Sequence, residues 1–150
     1  MEKLDDNLEV EWHEALYPND TYSRRDLICG DVTAKIIGAA IEVHRILGPG
    51  LLESAYEECF CHELHERKLS FARQVALPVI YKAVKLDCGY KIDLVVADSV
   101  VVELKATERM ESEFEAQLLR YSRLSGKRVG LLINFGLPVL RRGGILRRVI

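Results

Sequence analysis

Gly89-Tyr-Lys-Ile-Asp-Leu-Val-Val-Ala-Asp-Ser-Val-Val-Val-Glu-Leu-Lys-Ala106 is the stretch whose reading decides the fold. Ile92 to Val96 and Val100 to Leu104 are short apolar runs rich in β-branched residues, joined by a polar turn around Asp98 and Ser99. That pattern predicts a β-hairpin. Charged side chains are rarely buried without partners, yet Asp93, Glu103 and Lys105 sit inside the runs. Residues two apart on a strand share a face, so Glu103 and Lys105 point the same way. A hairpin that closes around Asp98 sets Asp93 opposite Glu103, close enough for both carboxylates to hold one ion. A turn one residue different loosens that register.

Two carboxylates and a lysine on one sheet surface suit metal-dependent phosphodiester hydrolysis. Carboxylate oxygens are hard ligands that suit Mg²⁺, which keeps several waters and binds substrate phosphate. Such a metal acidifies a bound water and offsets charge developing on the phosphorus oxygens. A lysine beside it orients or deprotonates that water, or stabilises the transition state as a point charge. The competing reading is a set of ordinary ion pairs on a solvated sheet face. A Glu-x-Lys triplet arises by composition at roughly one position in a few hundred, so the triplet alone does not decide.

A chain of 150 residues reads as one domain with room for a core. With 49% hydrophobic and 29% charged residues it has the composition of a globular protein, and its apolar runs are too short to cross a bilayer. The acidic start does not resemble a signal peptide, so the expected location is the cytoplasm, with no membrane partner. Cys29, Cys59, Cys61 and Cys88 show no CxxC spacing and read as reduced thiols. Cys59, Cys61, His62 and His65 are metal-binding types. On a helix, residues two apart face different ways, so no zinc site is expected there.

The net charge of −2 argues against coating nucleic acid by charge alone. Its distribution is uneven. Glu2, Asp5, Asp6, Glu9, Glu11, Glu14 and Asp20 crowd the first segment, and no acid follows Glu115. Arg120, Arg123, Arg141 and Arg142 in the last part suggest a phosphate-binding face, or else a solvated surface that balances the acidic one.

Residues 1–30 read as an acidic extension, on which Trp12, Leu16 and Tyr17 offer docking groups, and residues 31–150 as one domain. A helix is predicted from about Thr33 to Leu47, capped by Asp31 or Thr33 and stopped by Gly48-Pro49-Gly50. His44 near its end reads as structural before it reads as functional. A second helix spans about Leu51 to Arg67, with Leu52, Ala55, Tyr56, Cys59, Phe60 and Leu64 inward. Glu53 opens it, either as a site acid or to complement the helix dipole. Tyr56, one turn on, either hydrogen-bonds Glu53 or packs. Phe71 to Tyr81 alternates as a strand, with Pro78 marking an edge or a bulge. After the hairpin come a helix from about Ser112 to Leu124, a central strand Arg128–Asn134 and an edge strand Ile145–Ile150. Gln117 and Tyr121, four apart on that third helix, are neighbours on its surface.

This order, with an acid in the first helical layer, Asp in the second strand and Glu-x-Lys in the third, resembles the PD-(D/E)XK nuclease superfamily. Within it the chain is similar to the family named for its GxxExxY motif, carried by Gly50-Leu51-Leu52-Glu53-Ser54-Ala55-Tyr56. Ile-Gly-Ala-Ala-Ile-Glu-Val-His before it fits that family. So do Gly-Tyr-Lys-Ile-Asp-Leu, Val-Glu-Leu-Lys-Ala, Glu-Ala-Gln-Leu-Leu-Arg-Tyr and Gly-Leu-Leu-Ile-Asn-Phe after it. The resemblance implies an α/β (α+β) fold with an α-β-β-β-α-β core, a mixed central sheet flanked by helices. It implies Asp93 and Glu103 as metal ligands, the Leu104 carbonyl as a third, Glu53 as an outer acid that orients a metal water or holds a second ion, and Lys105 as the catalytic lysine. Gln117 and Tyr121 match a Gln-x-x-x-Tyr helix motif that faces the same site in RecB-like relatives. Ile92 stands where the superfamily carries its leading proline.

The function expected is a Mg²⁺- or Mn²⁺-dependent nuclease acting on DNA, with the arginines of the last third positioning the backbone. The alternative is a catalytically inactive nuclease-fold scaffold that binds nucleic acid or a protein partner. A homodimer would let a small nuclease cut both strands.

Overall fold

The central hairpin forms where the β-branched runs place it: β4 (Lys91–Val96) and β5 (Val100–Lys105) pair antiparallel, with Leu94 opposite Val102 and Val96 opposite Val100. The protein is described by a computed structural model over residues 28–150; the acidic segment with Trp12, Leu16 and Tyr17 lies outside the described residues. Ala97 and Asp98 turn the chain with φ near 50°, and Ser99 N–H closes the turn on Val96 O. Lys127 fastens it from outside, its Nζ 2.8 Å from Asp98 Oδ1.

Ahead of the hairpin lie α1 (Gly30–Leu47), α2 (Glu53–Glu66), β1 (Phe71–Ala76) and a small ribbon of β2 (Val79–Tyr81) and β3 (Val84–Leu86). Behind it lie α3 (Ser112–Ser125), β6 (Val129–Asn134) and β7 (Ile145–Val149). The five-stranded sheet runs β1-β4-β5-β6-β7. Only β5 and β6 are parallel, joined by the crossover through α3; the other neighbours are antiparallel. The fold is the mixed α+β class expected from the sequence.

Strand alternation sorts the sheet into two faces. Leu94, Val102, Leu131 and Ile133 look toward α1 and α2, where Ile36, Ile37, Phe60 and Leu64 are fully buried. Val95, Val101 and Leu132 look toward Leu118 and Tyr121 of α3. Each such side chain contributes about 1.5–3 kcal/mol by burial. Helix α3 presses onto β6 at Gly130, where an added Cβ would meet Leu118 Cδ1 at 2.9 Å and Ser122 Oγ at 2.8 Å. A side chain there would push the helix off the sheet.

Several local expectations are corrected. Helix α1 starts at Gly30, not Thr33, with Cys29 at its N-cap in a left-handed conformation. Thr33 therefore lies inside the first turn, and its hydroxyl donates back to Cys29 O at 2.7 Å instead of capping. Helix α2 starts at Glu53, so Leu52 falls outside it and is 78% exposed. Cys59 is exposed and Cys61 buried, because the inward stripe follows Tyr56, Phe60 and Leu64 and takes in the residue after Phe60. The single strand expected over Phe71–Tyr81 is two: it breaks at Leu77-Pro78, and Val79–Tyr81 pairs with β3 in a separate sheet. Proline lacks the N–H a continuous ladder needs there.

Candidate metal centre

β4 and β5 run antiparallel, so the start of one and the end of the other share one edge of the fold. Continued one step beyond Leu94–Val102, the strand register sets Asp93 against Glu103. Their side chains interlock with the backbone: Asp93 N–H donates to Glu103 Oε1 at 3.1 Å, and Leu104 N–H donates to Asp93 Oδ2 at 2.8 Å. Each carboxylate thus takes a place a ladder carbonyl would fill, and both are held with little rotamer freedom.

Glu103 is only 2% exposed. Burial, then the Asp93 charge, pushes its carboxyl up to about 8, against the Asp93 N–H bond and the Lys105 charge. Burial likewise raises Asp93, opposed first by its bond from Leu104 N–H. Two like charges out of water favour a shared proton or a cation. Lys105, one residue past Leu104 and half-buried, stands with its ammonium 4.8 Å from the Phe114 ring centroid of α3.

Glu53, at the open start of α2, belongs to the same electrostatic neighbourhood. Partial enclosure and then the Asp93 charge raise its carboxyl, while Lys105 lowers it. Lys105 is the cation that lowers all three acids. The stretch Gly50–Tyr56 shows how this end of α2 is set. Gly50 takes φ of 104°, which disfavours any side chain. The Tyr56 hydroxyl donates to Gly48 O at 2.5 Å and accepts from Leu51 N–H at 3.2 Å, with its ring stacked on Phe135 at 4.7 Å. Tyr56 therefore braces the loop ahead of Glu53 and makes no bond to Glu53 itself.

Glu57, one turn beyond Glu53, is a neighbour the sequence does not single out. Its charge raises Asp93, and its own carboxylate accepts from Arg73 Nη2 at 3.1 Å and Gln74 Nε2 at 2.8 Å. Helical spacing from Glu53 is the signal that could find it. Gln74 has φ of 49° and stands, by the β1–β4 register, across from Asp93. Asn134, at the end of β6 opposite Lys105, is likewise unmarked in the sequence. It is fully buried, accepts from Thr107 and Gly136 N–H and donates to Thr107 Oγ1 and Arg109 O. These bonds pin the loop that leaves Lys105.

Gln117 and Tyr121 are bonded to each other at 3.0 Å, and the Tyr121 ring meets Tyr90 edge-on at 6.1 Å. Arg141 and Arg142 lie in the β6–β7 connection at the Lys105 end of the sheet. Arg120 and Arg123 are exposed on α3, and Arg123, in its last turn, lies toward the hairpin turn and away from the carboxylates. The structure gathers Asp93, Glu103, Lys105 and Glu53, and spreads the four arginines. His44 Nε2 lies 2.8 Å from Leu137 O, a structural tie between α1 and the loop after β6. Burial pushes the Cys61 thiol up to about 11, and Cys59, His62 and His65 point outward.

Among the described residues, no group of three or more His, Cys, Asp or Glu side chains is gathered to hold a metal ion. Asp93 and Glu103 nevertheless fit a hard divalent cation: they are fixed oxygen donors, Glu103 buried and Asp93 half-buried, with Lys105 as the cation in their range. Glu53 stands outside the pair, within range of the Asp93 charge.

A family model described as the PD-(D/E)XK nuclease superfamily matches residues 30–149. No curated protein and no solved structure matches the chain. No helix among the described residues is long and apolar enough to cross a membrane.

Proposed function

The chain belongs to the PD-(D/E)XK nuclease superfamily, and from that premise we propose that it is a Mg²⁺- or Mn²⁺-dependent nuclease that hydrolyses phosphodiester bonds of DNA. Within the superfamily, the Gly50–Tyr56 motif supports a place in the GxxExxY family. The interlocked Asp93–Glu103 pair with Lys105 beside it carries the proposal. Superfamily members usually use divalent metal ions, and here Asp93 and Glu103 would hold one, assisted by the Leu104 carbonyl. Bound there, it would acidify a water and offset charge on the phosphate oxygens.

The chain's own groups do the rest. Asp93 and Glu103 are oriented by backbone N–H groups, so little reorganisation precedes the reaction. Lys105 orients the attacking water and counters charge building on the phosphorus oxygens. Glu53 orients water at the outer edge, and Tyr56 keeps its loop in place. The Gln117–Tyr121 pair supports the wall next to Tyr90. Arg141 and Arg142, and more remotely Arg120 and Arg123, draw in the phosphate backbone without reading sequence.

The test is cleavage of linear, circular and single-stranded DNA with Mg²⁺ or Mn²⁺, comparing wild type with Lys105→Ala and Asp93→Ala. Metal-dependent cutting lost in both variants is the expected result. Cutting that survives in both would place the chemistry elsewhere. No cutting and no metal binding would favour the inactive scaffold.

A further inference from the structure

The β2–β3 ribbon leaves the sheet directly beside the carboxylates. The β1–β4 ladder ends with Ala76 opposite Lys91, and Leu77 N–H still reaches Tyr90 O at 2.9 Å. Beyond that point, Pro78 on one strand faces Asp87, Cys88 and Gly89 on the other before Val79 pairs with Leu86. The mismatch breaks the ladder and re-aims the ribbon. Its tip is tight: Tyr81 pairs with Val84 across Lys82 and Ala83, both at positive φ. Asp93 and Tyr90 are about 10 Å apart along β4 at about 3.3 Å per residue.

The ribbon's composition does not match a self-contained element. Residues 80 to 91 are all exposed. Tyr81, Val84 and Leu86 line one face by alternation, and Tyr81 is 60% exposed. Lys82, Lys85 and Lys91 oppose the single acid Asp87, so this arm is positive on a chain of net charge −2. Lys82 Nζ lies 5.6 Å from the Tyr81 ring centroid. Two-stranded ribbons are marginal alone, and a face with a tyrosine and two aliphatic side chains is not left in water without use.

We infer that this ribbon is a nucleic-acid-binding arm that holds a single-stranded stretch leading into the Asp93–Glu103–Lys105 site. Exposed aromatic rings with interspersed lysines are what single strands use: bases stack on the rings and phosphates meet the cations. Tyr81 supplies the stacking surface at the tip, Lys82 and Lys85 meet phosphates beside it, and Tyr90 and Lys91 continue the path toward Asp93. A duplex keeps its bases stacked inside and gains little from Tyr81. The inference rests on the nuclease reading, deepening it from DNA in general to a single-stranded segment.

The test is fluorescence anisotropy in EDTA with a labelled single-stranded oligonucleotide and a duplex of equal length. Wild type is compared with Tyr81→Ala, with the double variant Lys82→Gln/Lys85→Gln, which keeps the apolar face, and with Lys35→Gln, at an exposed lysine of α1. Single-strand binding about tenfold or more weaker in both ribbon variants, with Lys35→Gln binding as wild type, is the expected result. Unchanged single-strand binding in the double variant, a loss confined to duplex, or no binding by wild type would overturn the inference. A parallel cleavage assay with Mn²⁺ separates the two readings. Ribbon-dependent binding without cutting by wild type would sink the nuclease and keep the arm. Cutting of single strands with unchanged KM in the ribbon variants would sink the arm and keep the nuclease.

Discussion

Asp93 and Asp98 sit five positions apart on one hairpin, and their carboxylates are driven in opposite directions. Asp98, at the turn, is 94% exposed and pairs with Lys127 at 2.8 Å, and that hydrogen bond lowers its pKa. Asp93, at the other end, is drawn in beside Glu103, and burial raises it. The turn end has its counter-charge in place and uses the acid to fasten a loop. The far end sets two acids against one lysine that also faces Glu53. A fold assembled for stability alone would resemble the turn end throughout, since unpaired buried charge is costly. Under the proposed function, the excess of acids at the far end is kept for a cation at the expense of stability.

The largest effect should come from exchanging the two ends in their roles. Asp93→Asn and Lys105→Ala should each lower DNA cleavage by about 10²–10⁴-fold, whereas Asp98→Asn should leave the rate within error. Equal losses at both aspartates would dissolve the contrast. The next effect is on the scaffold behind the site. Asn134→Ala strands the Thr107 and Gly136 N–H groups, and should cost about 1–3 kcal/mol in urea unfolding.

A smaller effect, but a diagnostic one, is pH dependence. Glu103 moves from an ordinary 4.5 to about 8 on folding, so between those values the folded chain keeps a proton the unfolded chain has released. Stability of the metal-free protein should thus fall as pH rises from about 5 to 8. Glu103→Gln should flatten that fall and raise the melting temperature at pH 8 by several degrees. A steeper fall in the variant would remove burial as the cause. The smallest effect belongs to the turn: Lys127→Met should shift melting little, because an exposed ion pair contributes little.

The same contrast explains what is legible in the sequence. The register of the hairpin follows from local chemistry, a polar turn between two β-branched runs, and so Asp93 against Glu103 can be read from residue types alone. The acids of the first helical layer are harder. Glu53 is visible through the Gly50–Tyr56 motif, but Glu57 acquires its role only when β1 brings Arg73 and Gln74 to it. The ribbon is harder still: Val79 and Tyr81 continue the alternation of β1, and only Pro78 hints that they pair with a new partner. Helical periodicity turns Leu52 and Cys59 inward, yet one lies ahead of the helix start and the other off its buried stripe. Asn134 reads only as the end of a strand, whereas its four hydrogen bonds join a loop 25 to 27 residues earlier and Gly136.

Whether the raised pair is a cation site is decided by Mn²⁺ titration by calorimetry at pH 7 with wild type, Asp93→Asn and Asp98→Asn. Wild type and Asp98→Asn should bind with release of a proton from the carboxyl pair, and Asp93→Asn should not bind. Binding of equal strength in Asp93→Asn, or none in wild type, would mean that the pair holds no cation.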